Sequence, residues 1–101
     1  MHEHGLAKEL LPQLRGIAEM KGLRRVERVE MIVGMLHGVS AEILVHSFEH
    51  AFAGTNFHGA KVVVTVIDPG QDYVPPNSDR TVKASGWELL VLMMEGQEQQ
   101  Q

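Results

Sequence analysis

At Gly22 the hydrophobic period of the chain changes from helical to alternating, and this switch constrains the architecture more than any other feature. Before it, Leu6, Leu10, Leu14 and Ile17, with Ala7, Leu11 and Ala18 beside them, recur at helical spacing from about residue 4 to residue 21. Gly22 supplies the stop. Pro12 lies inside this stretch, where a proline removes one backbone hydrogen bond and crowds the carbonyl of Lys8, so a kink or a late start is expected there. After Gly22, Val29, Met31, Val33 and Met35 point one way while Glu27, Arg28 and Glu30 flank them, as in a strand buried chiefly on one face. An amphipathic helix and a one-sided strand must bury their apolar faces together, which commits the chain to a layered arrangement.

The remaining elements complete the layers. Ser40 is the expected N-cap of a second helix, with Leu44, Phe48, Ala51 and Phe52 on its apolar stripe and Gly54 closing it. Residues 60–67 are apolar on both faces through Val62, Val63, Val64 and Val66, which reads as a central strand. Residues 68–85 open with Asp68, Pro69 and Gly70, contain adjacent Pro75 and Pro76, and offer no periodic face; they read as a long loop. Residues 86–95 form a third strand, with Trp87, Leu89, Val91 and Met93 on one face and Leu90, Leu92 and Met94 on the other. Residues 96–101 read as a disordered tail.

The predicted order is therefore α-β-α-β-long loop-β, an α+β fold with two helices packed on one face of a three-stranded sheet, forming one domain over residues 1–95. The second apolar face of the third strand then needs a cover. A homodimer and the loop folding back over that face are equally open.

Composition excludes several functions. A chain of 101 residues that is 44% hydrophobic holds one modest core and no second one. Its formal net charge of −4 argues against a nucleic-acid backbone as the main partner. Arg24, Arg25 and Arg28 read instead as a solvated strand edge. Lys8, Glu9 and Pro12 interrupt the first apolar residues, and no apolar run reaches about 18 residues, so neither a signal peptide nor a membrane span is expected. The expected location is cytoplasmic. The absence of cysteine removes disulfides, thiolate zinc sites and thiol catalysis together.

The first four residues, Met1, His2, Glu3 and His4, carry the most chemistry. The amine of Met1 and the His2 backbone nitrogen can close a five-membered chelate ring, and that nitrogen with the His2 Nδ1 a six-membered one. Glu3 adds another amide and a carboxylate. Such nitrogen-rich, roughly planar sets suit nickel(II) or copper(II), whereas zinc prefers a tetrahedron of imidazole and thiolate. The familiar copper and nickel terminus has histidine third, and here Glu3 is third. The alternative is a frayed end whose histidines do nothing.

The other histidines are weaker candidates. His46 and His50 lie four apart on the second helix and share a face that can pinch a metal or simply meet solvent. Ser47 stands where an HExxH metalloprotease needs its glutamate base, which excludes that activity. His37 follows the first strand and either swings toward the amino terminus or is a turn residue. His58, beside Gly59, reads as solvent-facing. Trp87 and the six methionines read as core.

The chain resembles the HypA/HybF family of nickel metallochaperones. The resemblance lies in Met1, His2 and Glu3 followed by Leu6 and Ala7, in Arg25, Val26, Glu27, Arg28 and Val29 leading to Val33 and Gly34, and in Phe48, Phe52, Gly54, Thr55, Gly59 and Ala60. Spacing agrees from Met1 to about Ile67, and residues 86–95 are similar to the family's last strand. The resemblance implies transient binding of nickel(II) and its delivery in maturation of nickel-iron hydrogenase, or in some organisms urease. The implied partners are a HypB-like GTPase and a hydrogenase precursor, and the implied role is not enzymatic. Carried over residue by residue, it implies a nickel site with His2 as side-chain and backbone ligand, Glu3 as the next backbone ligand, and the amine of Met1 joining them.

The departures are equally specific. The family places a zinc domain with two CxxC pairs between the strands matching 60–67 and 86–95, and here residues 68–85 contain neither cysteine nor histidine. No zinc is expected. Ser40 stands near where some members carry an acidic residue, with Glu42 the nearest carboxylate, which leaves the fourth nickel donor open. His4 occupies a common aromatic position and is either a replacement ligand or a variable surface residue. Two functions follow: a nickel carrier, or a non-metal adaptor derived from this family that binds maturation partners.

Overall fold

The computed structural model describes residues 3–99. Helix α1 (Glu3–Met20) buries Leu6, Ala7, Leu10, Leu14 and Ala18, the stripe marked by the helical period. It runs through Pro12 unbroken. Pro12 and Lys8 both face solvent, where water can satisfy the carbonyl that proline leaves unpaired.

Strand β1 (Leu23–Gly34) follows, with Val29, Met31 and Val33 buried under the helices. A 3-10 turn (Met35–His37) ends it, so Met35 leaves the buried row in which strict alternation places it and faces solvent. The chain turns there because the Gly34 amide donates to the Glu88 carbonyl at 2.8 Å and the Leu36 amide to the Gly86 carbonyl at 2.9 Å. Helix α2 (Ala41–Ala51) starts at Ser40, whose Oγ accepts the Ile43 amide at 3.3 Å. Strand β2 (Lys61–Ile67) pairs with β1 in parallel after the α2 crossover.

The sheet order is β2-β1-β5, with β5 (Leu89–Glu98) antiparallel to β1. β2 is therefore an edge strand, against the expectation that its two apolar faces make it central. The crossover from β1 through α2 sets β2 on one side of β1, and the long connection sets β5 on the other. Apolarity on the second face of β2 has another cause: Ile67, with Ile32 and Ala84, forms a small cluster joined by Tyr73 and Leu90. Residues of the loop thus cover this end of the second face. The main core lies between the helices and the opposite face, where Phe48, Phe52 and Phe57 are fully buried with ring centroids 5.7 and 5.0 Å apart along the series.

The loop has structure of its own. Strands β3 (Asp72–Tyr73) and β4 (Val82–Lys83) form a short antiparallel ladder, and the Lys83 Nζ donates to Asp72 Oδ1 at 3.0 Å. Glu88 ties the loop's end into a knot. Its carboxylate accepts the Ser85 amide at 2.8 Å, the Ser85 hydroxyl at 3.1 Å and the Gly86 amide at 2.9 Å. Partial desolvation pushes this carboxyl upward, but the hydrogen bonds together outweigh it and hold Glu88 below the usual carboxylate range. Desolvation, and then the Glu88 charge and hydrogen bond, raise the neighbouring Tyr73 phenol.

The last strand is longer than expected. It continues past Glu95 to Glu98, pairing Gly96 with Val26 and Gln97 with Arg25, and the Gln99 amide then donates to the Gly22 carbonyl at 2.8 Å. Gly96, which looks like a strand stop in the sequence, sits at a bulge where a Cβ would collide with the Arg25 carbonyl oxygen. The tail assigned to 96–101 thus contributes residues 96–98 to the sheet, and residues 100–101 lie outside the described residues.

Candidate metal centre

The amino-terminal end of α1 lies across α2. Glu3, the first described residue, reaches the start of α2, where its Oε2 accepts the Ser40 amide at 2.8 Å. His4 faces the other way, its ring centroid 5.9 Å from that of His50 with the planes inclined by 46°. Ser40 and His50 are ten residues apart in sequence, roughly 15 Å along a helix, so the Glu3 and His4 side chains reach to opposite ends of α2. Ala7 of α1 and Ser47 of α2 are both buried.

The Glu3–Ser40 contact has a clear physical basis. The first amides of a helix lack intrahelical acceptors, and a carboxylate at that end is favoured by the helix dipole. Ser40 caps its own helix through Oγ and donates its backbone amide to Glu3. Two helix starts are therefore joined by one carboxylate.

Beside this joint is an open cleft of about 310 Å³ lined by His4, Lys8, Ser47, His50 and Ala51. It adjoins a shallower hollow that also includes Glu3, Ile43 and His46. His46 is exposed, and its Nδ1 lies 4.0 Å from Glu49 Oε1. Among the described residues, no three side chains of His, Cys, Asp and Glu converge as a ready-made metal cage. The described donors nearest to such a role are the His4–His50 pair and Glu3.

The sequence candidates fall into separate groups. Met1 and His2 lie outside the described residues. Glu3 and His4 stand at the α1 start, and His46 and His50 are the α2 histidines facing it. Glu42 is exposed in the first turn of α2. His37 is elsewhere: its Nε2 is 3.0 Å from the Trp87 carbonyl, and its ring meets the Trp87 indole edge-on at 5.3 Å. His58 is exposed, and its carbonyl accepts Arg25 Nη2 at 3.1 Å. Trp87, expected in the core, is 59% exposed, because the first turn of residues 86–88 belongs to the Glu88 knot and not to β5. The meeting of His4 with His50 was the feature that spacing along the chain could not show. Its only sequence signal is that both residues fall on helices flanking one interface.

The arrangement is a two-layer α+β domain with metal-capable donors gathered where one helix starts across another. Comparison with known proteins agrees with this fold. The family model described as "Hydrogenase/urease nickel incorporation, metallochaperone, hypA" matches residues 1–71. The hydrogenase maturation factor HypA of Moorella thermoacetica is 36% identical over 64 residues, covering 63% of this chain and 57% of that protein. Its counterpart in Thermococcus gammatolerans is 33% identical over 63 residues, covering 62% of this chain and 45% of that protein. The chain belongs to the HypA family. It spans about half the length of the curated relatives it matches. The solution structure of the Ni metallochaperone HypA from Helicobacter pylori aligns with a TM-score of 0.67 at 17% identity, covering 98% of this chain and 100% of that one, a likeness of fold.

Proposed function

We propose that this protein is a nickel carrier that binds nickel(II) transiently at its amino terminus and passes it on during maturation of nickel-iron hydrogenase. The ligands are the His2 side chain and backbone nitrogen, the Glu3 backbone nitrogen and the Met1 amine, with His4 adjacent. The role is carriage and not catalysis, it needs no zinc, and it is exercised in the cytoplasm. A HypB-like GTPase and the hydrogenase precursor are the partners on this reading, with urease a second recipient where it occurs. No described helix is long and apolar enough to cross a membrane.

The observation that carries the reading is the Glu3–Ser40 hydrogen bond. It fastens the start of the helix that follows the terminal donors, so a chelate formed there has a fixed base. A carrier needs such a base without a cage, since a closed cage releases its metal slowly. The Glu3 carboxylate is engaged in this brace, which supports its backbone nitrogen as the ligand in place of its side chain. Family membership supports the same metal.

The test is a competition titration of nickel(II) into untagged protein beginning at Met1. Saturable binding that weakens at least tenfold in His2→Ala is expected, with a similar loss when the Met1 amine is acetylated. Acetylation blocks the amine and leaves every side chain intact. Absence of binding by the native chain, or undiminished binding by His2→Ala, refutes the proposal and leaves the adaptor.

A further inference from the structure

We infer that His4 and His50 form a second divalent-metal site, a bis-imidazole clamp bridging α1 and α2 that is separate from the terminal chelate. The ring geometry is the first support. A metal held at about 2.0–2.1 Å by one nitrogen of each ring places the two centroids roughly 4.5–6.4 Å apart, depending on the ligand angle. The observed separation is 5.9 Å. The rings are inclined by 46° rather than stacked, so closing onto one ion requires rotation about the side-chain torsions and no helix movement.

The surroundings are the second support. The two imidazoles line one open cleft, so an ion reaches them from solvent and keeps water in its remaining positions. Neither ring has a described hydrogen bond or carboxylate partner to displace, in contrast to His46 beside Glu49 and His37 on the Trp87 carbonyl. Lys8 also lines the cleft and opposes a cation, but its ammonium is exposed on a flexible stem and can turn away. Two imidazoles and water suit nickel(II), copper(II) and zinc(II), and without a third protein donor the site binds weakly and exchanges readily.

A clamp between the helices differs from a terminal chelate in consequence. Binding to the folded state alone raises stability by mass action, so metal at this site strengthens the α1–α2 packing. If the carrier reading holds, the site is a neighbouring station for the same cargo. Its existence does not depend on that reading.

The experiment uses the full chain carrying His2→Ala, which removes the imidazole of the terminal chelate, and nickel(II) as the probe. Histidine ring signals are followed by NMR with thermal unfolding in parallel. The expected result is that the His4 and His50 rings shift together and that nickel raises Tm. His50→Gln should weaken this binding at least tenfold and abolish the Tm rise, while His46→Gln leaves both. No binding by the His2→Ala chain, or binding unchanged when His50→Gln is added to it, overturns the inference. Binding by the native chain that is abolished by His50→Gln and insensitive to His2→Ala refutes the carrier chelate and supports the clamp. The converse pattern does the opposite.

Discussion

Replacing Gly34 with alanine tests how the loop is sealed to the sheet. A Cβ at this buried position would fall inside the van der Waals shells of the Gly86 carbonyl carbon and oxygen and lie 2.5 Å from the Trp87 nitrogen. The obstructing atoms are backbone, so a side-chain rotation relieves nothing. Residues 86–88 must move outward by about 1 Å to restore ordinary contact, and overpacking of this kind costs about 1–3 kcal/mol. The same movement stretches the Gly34 amide bond to Glu88 and the Leu36 amide bond to Gly86, now 2.8 and 2.9 Å. Each contributes about 0.5–1.5 kcal/mol net. The expected loss is therefore about 2–6 kcal/mol, against about 5–15 kcal/mol for a whole domain. With a urea m-value of about 1–3 kcal/mol/M, the midpoint should fall by about 2 M, read by circular dichroism. Gly16→Ala is the control: nothing lies within 4 Å of its Cβ position on the exposed side of α1. It should stabilise by about 0.5–1 kcal/mol. A loss under about 1 kcal/mol for Gly34→Ala refutes the close-packed seam.

Other outcomes follow from the same contacts. Glu3→Ala should cost about 1 kcal/mol in urea unfolding, the usual value of a helix-start acceptor, and the loss should shrink in high salt. Glu88→Gln should lower the unfolding midpoint at neutral pH. The folded pKa of this group is depressed, so its contribution is complete above the unfolded value of about 4.3 and disappears as pH falls through the lower folded value. Native and variant midpoints should therefore converge in acid, and a pH-independent gap refutes the charge argument. Nickel affinity of the native chain should decline below neutral pH, because the amine and imidazole must shed protons to bind; equilibrium dialysis across pH checks this.

The elements legible in the sequence were those whose period decides them. Leu6, Leu10 and Leu14 require a helix, Val29, Met31 and Val33 a strand, and Ser40 marks the α2 start by its own chemistry. Strand order was not legible, because Val62 to Val66 are equally apolar at an edge covered by a loop and at a centre covered by helices. The Glu88 knot left a faint trace: Ser85 and Glu88 have the S-x-x-E spacing of a capping box, here with no helix following. Gly96 misled because a glycine that permits close backbone approach and one that ends a strand look alike. In the site, the donor-rich terminus was readable as composition. The facing of His4 and His50 was not, since it arises from a helix crossing between residues 46 positions apart.

A short physical path joins the loop seam to the amino terminus. The Trp87 carbonyl and indole hold His37, His37 closes the 3-10 turn, and three residues later the Ser40 amide holds Glu3. Residues 37–40 thus have a fixed point at each end. If both are needed to position the Ser40 amide, removing either loosens the other. His37→Ala should cost about 0.5–1.5 kcal/mol through its hydrogen bond, and it should speed hydrogen exchange at Ser40, a residue it does not touch. A double-mutant cycle with Glu3→Ala gives the decisive number. Contacts that share a brace couple by about 0.5 kcal/mol or more, whereas independent sites add within about 0.3–0.5 kcal/mol. Additivity within that limit, with Ser40 exchange unchanged in His37→Ala, would show that the loop and the start of α1 are separate parts. Coupling would mean that a partner gripping Trp87 also acts on the start of α1, the base of the proposed nickel chelate.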